Sequence, residues 1–143
     1  MTYREAKTYL DKTRHCRLQL NRILMEIERI RAEMQSPMGG MSSGDKVQTS
    51  KTNTNEAKLL RYIALLEKHE AVYLDAKYNY ESSIHEAESL IIQMPESRSK
   101  DFLLAHYIDG MSELDYGVTN GYITTGSVYN LKRRAIRQFA ESF

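Results

Sequence analysis

The final forty-three residues, DFLLAHYIDGMSELDYGVTNGYITTGSVYNLKRRAIRQFAESF (101–143), carry the pattern from which the rest of the chain is read. Phe102, Leu103, Tyr107 and Ile108 recur at helical spacing and stop at Asp109-Gly110, where a glycine after the last apolar residue is the usual C-terminal signal of a helix. Ser112 offers a side-chain oxygen to the free N–H groups of a second, short helix expected over 113–118, with Asp115 as capping-box partner. Asn120-Gly121 ends it, since these residue types best tolerate the left-handed backbone of a tight turn. Gly117 lies inside that helix, where glycine costs about 1 kcal/mol relative to alanine, so another backbone is expected to pass close above it.

Thr124 is the expected N-cap of a third helix that carries Val128, Leu131, Ala135, Ile136 and Phe139 on one face. The opposite face is polar and basic: Thr125, Ser127, Tyr129, Asn130, Lys132, Arg133, Arg134 and Arg137. From Gly121 onward four basic residues stand against one acid, a net of +3, on a chain whose whole balance is +1. Two helices joined by a tight turn, the second one basic, read as a helix-turn-helix. Such a helix fits the roughly 12 Å wide major groove of B-DNA. The short side chains of its first turns, with Thr124, would face base edges, and its cations would reach phosphates, which orient the protein but read no sequence. The plainer alternative is a terminal amphipathic helix with a solvated basic face.

Tyr107-Ile108-Asp109-Gly110-Met111-Ser112, followed by Val128-Tyr129-Asn130-Leu131-Lys132-Arg133-Arg134-Ala135-Ile136, resembles the pattern Y-x-x-G-x-S … V-x-x-L-x-x-R-A-L. That pattern occurs in the C-terminal part of small phage regulators of the ArpU/RinA-like family, itself similar to region four of sigma factors. Asp115-Tyr116-Gly117 stands where the family commonly shows Glu-Ile-Ala, and the turn register over 118–123 stays open. The resemblance implies a phage-encoded transcriptional activator, acting late or in packaging-gene control in the cytoplasm of a bacterial host, with double-stranded DNA as partner.

Upstream, residues 3–34 contain no glycine or proline, and Ala6, Tyr9, Thr13, Cys16, Leu20, Ile23, Ile27, Ile30 and Met34 alternate by three and four, a coiled-coil seam. A flexible loop is expected over 35–53, rich in Gly, Ser, Thr and Asn. No Gly-Lys-Ser/Thr follows its glycines, which argues against a phosphate-gripping loop, while its lysines leave a brush with DNA open. Thr54 or Asn55 is the expected cap of a helix that runs to Met94, before Pro95, with Leu59, Ile63, Leu66, Tyr73, Tyr80, Ile84, Ala87, Ile91 and Met94 on its seam. Glu70 and Lys77 interrupt that seam and should pair with partner charges or mark a drift toward Val72 and Ala76. Residues 1–18 carry a net +3 and 67–96 a net −5, so an antiparallel arrangement sets opposite signs side by side.

The expected fold is therefore all-α: a long antiparallel helical hairpin, coiled-coil-like, over 1–94, then a helix-turn-helix over 97–143. With 41% hydrophobic and 27% charged residues the chain is neither a disordered tail nor a membrane protein. No apolar run approaches the roughly 20 residues of a spanning helix, and MTYREAKTYL lacks the apolar core of a secretory signal. One cysteine, Cys16, forms no internal disulfide. His15, His69, His85 and His106 have no metal-site spacing, and His15-Cys16, adjacent on a helix, point about 100° apart. No catalytic set, metal site or cofactor is expected, and the chain is read as a non-enzyme. Tyr73 and Tyr80, among ten tyrosines, fall on the seam and read as core. A homodimer or higher oligomer is expected, because paired copies commonly read specific sites. Two other readings stay open: a protein-binding adaptor whose hairpin contacts RNA polymerase or a sigma factor, and the small DNA-recognition subunit of a phage packaging terminase.

Overall fold

The computed structural model describes residues 1–35 and 49–143, and these are all-α, with no strand among the described residues. The helices are α1 (Tyr3–Gln35), α2 (Thr49–Ile92), α3 (Arg98–Leu103, continued as one π-helical turn over Leu104–Ile108), α4 (Glu113–Thr119) and α5 (Thr125–Ser142). They divide into two compact units, one of Met1–Gln19 with Tyr78–Phe143, the other of Leu20–Lys77. The boundary expected near 94–97 thus falls inside the first unit, where the start of α1 and the end of α2 belong with the C-terminal helices.

In the first unit α1 begins with a reciprocal capping box. Glu5 N–H donates to Thr2 Oγ1 at 3.2 Å and Thr2 N–H to Glu5 Oε2 at 2.7 Å, which satisfies donors that the first turn leaves open. Ala6, Thr13 and Cys16 are buried as the seam predicts, and Leu10, off that seam, is buried too. The start of α1 has neighbours on two sides: Tyr9 stacks on Phe139 of α5 at 5.9 Å, and the Glu86 charge of α2, after burial, helps raise the Tyr9 phenol. Ile84, Ala87, Ile91 and Met94 form the α2 side of this core. The start of α1 shares a unit with the end of α2, the pairing that antiparallel order requires.

The charges meant to steer that pairing are used differently. Lys7 is held within α1 by Asp11 at 2.6 Å. Arg14 donates to the carbonyls of His106 at 2.6 Å and Met111 at 3.0 Å, and Arg17 to that of Ile108 at 2.6 Å. Both guanidinium groups sit where the π turn ends and backbone carbonyls have lost their helical donors. Cations there also complement the negative end of the helix dipole.

In the second unit Leu20, Ile27 and Ile30 are buried on α1, and Glu70, a carboxylate in the α2 seam, receives Arg31 of α1 at 2.6 Å. Of the two outcomes expected for that position, pairing is realised. Val72 stays exposed and Ala76 half-buried. Leu59 and Ile63, expected on the seam, are exposed. Helix α2 starts at Thr49, so Thr54 and Asn55 lie inside it and not at its start. The loop expected over 35–53 is corrected at Gln35 and over 49–53, which are helical: no glycine or proline stands between Thr49 and Asn55 to stop the helix, and extending a formed helix costs little compared with nucleating one. The glycine-rich part of that expectation, 36–48, lies outside the described residues.

Candidate nucleic-acid interface

Ser97, in extended backbone, caps α3 by accepting from Lys100 N–H at 3.2 Å. Lys100 is itself buried, its ammonium held by Glu96 at 2.7 Å and the Ile92 carbonyl at 3.0 Å. Phe102, Leu103, Tyr107 and Ile108 are buried as predicted, and His106 with them. Asp109 N–H reaches back to Leu104 O at 2.9 Å, the wide π spacing, and Gly110 turns the chain with φ 86°. Phe102 meets the edge of Tyr116 at 5.2 Å, so α3 supports α4.

His106 is the one strongly perturbed imidazole. Burial first, then the Arg14 charge, lower it from 6.5 to about 4, so it is neutral at pH 7. Its Nδ1 lies 2.7 Å from the Met111 carbonyl; a carbonyl only accepts, so Nδ1 carries the proton.

Ser112 accepts from Asp115 N–H at 3.0 Å and so caps α4, which runs one residue past the expected end, to Thr119. The turn follows: Asn120 keeps negative φ (−104°), and Gly121 alone takes the left-handed conformation, φ 77°. Gly117 is required for a reason slightly different from the one expected. A Cβ there would lie 2.9 Å from Val128 Cγ2, so a side chain of α5, rather than another backbone, presses on it.

Thr124 caps α5, accepting from Ser127 N–H at 3.2 Å and lying 2.9 Å from Ser127 Oγ. Val128, Leu131, Ala135, Ile136 and Phe139 are buried, with Ala140 added. On the other face Thr125, Ser127, Tyr129, Asn130, Arg133, Arg134 and Arg137 are all exposed. Among the described residues those three arginines enter no ion pair. Arg133 lies 6.0 Å from the centre of the Tyr129 ring one turn earlier, at the outer limit of a cation–π contact.

Lys132 departs from the expected set. Its ammonium is 2.7 Å from Glu113 of α4 and is largely withdrawn from solvent, and that hydrogen bond holds the Glu113 carboxyl below its ordinary value. Position 132 lies beside the buried Leu131, and Glu113 of α4 reaches it where α4 packs closely on α5, Gly117 against Val128. Lys132 thus fastens the two helices together. Thr124 is exposed, but its hydroxyl is engaged in the cap.

Three apolar side chains that the sequence did not single out stand beside this face: Leu114, Val118 and Ile123, exposed by 66%, 73% and 97%. They share a surface pocket of about 330 Å³ with Gly117, Thr125 and Val128. Periodicity missed them because α4 spans only seven residues and Ile123 lies in a turn.

Among the described residues no group of three or more His, Cys, Asp and Glu side chains is placed to hold a metal, and no helix is long and apolar enough to cross a membrane. Cys16 is buried, which pushes its thiol up, away from the reactive thiolate. Compared with protein-family models, curated proteins and solved structures, the chain matches none.

Proposed function

We propose that this chain is a sequence-specific, double-stranded DNA-binding regulator of transcription, a phage-encoded activator of the ArpU/RinA-like kind, working in the cytoplasm of a bacterial host. One observation carries the reading: α5 buries one face and turns Thr125, Ser127, Tyr129, Asn130, Arg133, Arg134 and Arg137 to solvent on the other. Short polar groups near the capped start and exposed arginines further along are the division of labour a major-groove helix needs, base edges first and phosphates after. Lys132 is left out of the contact set because Glu113 holds it. A second copy is the partner we assign for reading two half-sites, and host RNA polymerase is the target of activation.

The protein-adaptor reading draws its support from the other unit, where Met25, Leu60 and Leu74 are exposed apolar residues that a partner helix could cover. The two readings part on salt. Each phosphate contact adds about 0.9 to the slope of log affinity against log salt, so the triple variant Arg133→Ala, Arg134→Ala, Arg137→Ala should flatten that slope by about 2.7. The measurement is fluorescence anisotropy on duplexes selected from a random pool, with light scattering of the complex giving the number of chains bound. An unchanged slope, or no duplex retained at low salt, would leave the adaptor reading standing.

A further inference from the structure

We infer that Ile123 is a base-reading residue of this surface, contacting the C5 methyl groups of thymine, with Val118 and Leu114 extending the apolar contact. The inference rests on the DNA-binding reading above and names a chemistry for it.

Single exposed apolar residues are ordinary on a protein surface, but a contiguous group marks something it meets. Ile123 is 97% exposed, and it lines one pocket with Val118 and Leu114. It also directly precedes Thr124, the cap of α5, so it stands at the end of the helix where Thr125 and Ser127 are exposed. What meets this group must also accept the rest of the face, which carries Arg133, Arg134 and Arg137 without carboxylate partners among the described residues. The one acid on the pocket wall, Glu113, is offset by Lys132 at 2.7 Å. The occupant is therefore a polyanion with apolar groups at its recognition edge. Phosphates, sugars and most base edges present polar atoms in the major groove, whereas the thymine methyl is apolar. Thr125, whose methyl can join such a contact, lines the same pocket.

Replacing thymine by deoxyuridine removes that methyl and nothing else. The full-length chain would be used to select duplexes from a random pool, and a selected duplex would be made again with each thymine changed in turn to deoxyuridine. Wild type should lose about four-fold in affinity for each methyl it contacts, the fold-change of uncovering one methyl-sized group. Ile123→Ala should show a clearly smaller difference between the thymine and uracil duplexes than wild type, with its salt slope unchanged. Ile123→Val should keep part of the difference. Because Ile123 covers no core, its variants should retain the wild-type helical circular dichroism and urea midpoint. Indifference of the wild type to every thymine-to-uracil change would overturn the inference, as would an undiminished difference in Ile123→Ala. In both cases DNA binding itself survives. A pool from which no duplex is enriched overturns the DNA-binding reading, and this inference with it.

Discussion

Replacing Gly117 by alanine sets two known quantities against each other. Alanine within a helix is favoured over glycine by about 1 kcal/mol, and α4 is helical at Gly117 with no positive φ. Judged by propensity alone, the substitution stabilises. The new Cβ, however, would lie 2.9 Å from Val128 Cγ2, closer than such atoms approach, with Tyr122 Cβ at 3.7 Å on another side. Val128 is 4% exposed on α5, and a β-branched side chain in a helix has one strongly preferred rotamer, so it has little room to turn away. Overfilling a packed site costs about 1–3 kcal/mol, which leaves a net loss of about 1 kcal/mol. Removing the opposing methyls tests the cause. Val128→Ala alone should cost about 2 kcal/mol in lost burial and cavity. In that background Gly117→Ala should become neutral or stabilise by up to about 1 kcal/mol, a coupling of about 2 kcal/mol between the two positions. Urea unfolding of the four proteins, followed by helical circular dichroism, reads all of these. If Gly117→Ala stabilises the parent protein, or destabilises both backgrounds equally, the contact with Val128 does not explain the glycine.

Two further outcomes follow from the support beneath the turn. His106 has a folded-state pKa of about 4 against 6.5, so between those values the unfolded chain takes up a proton that the folded chain refuses. Stability is fully present above pH 6.5 and is lost as pH falls toward 4, by about 2 kcal/mol at pH 5; urea midpoints at pH 7.5 and 5.0 measure it, and His106→Gln should remove this part of the dependence. The same slope in His106→Gln would assign it to other groups. Arg14→Met should cost about 1–3 kcal/mol by leaving carbonyls of the π turn without their donor, and should raise the His106 titration toward its ordinary value, since the Arg14 charge is the second cause of its depression. Titrating the imidazole by NMR checks the shift, and an unmoved His106 would contradict it.

Much of the C-terminal module was legible because its signals are local. Ser112 and Thr124 cap the helices they announce, Gly121 turns the chain, and the apolar stripe Val128, Leu131, Ala135, Ile136, Phe139 is buried residue for residue. Caps and turns depend on a few consecutive residues, and a stripe depends only on the helical period. The long helices were legible for the same reason, down to Glu70 as a seam residue that needs a partner charge. Beside Leu59 and Ile63, which the seam placed inward and which are exposed, two kinds of failure are instructive. Thr54 and Asn55 looked like caps but lie inside α2, since a capping residue type marks a possible start and does not stop a helix already formed. Leu10 and His106 are buried although periodicity did not mark them; for His106 the Met111 carbonyl and the Arg14 charge of another helix lie beside it, which the period of one helix does not register.

The amino-acid order alone settled that the chain is helical, where its C-terminal helices begin, and which face of the last one is basic, because all of these follow from interactions within a few residues. The tertiary fold decided the use of each charge. Arg14 and Arg17 went to the carbonyl end of a π turn more than ninety residues away, Lys132 was withdrawn into a pair with Glu113, and Leu114, Val118 and Ile123 were gathered around one pocket. A charge or methyl group acts on whatever lies within a few ångströms of it, and for these residues that neighbour stands on another helix or across a turn, where the period of a single helix does not reach.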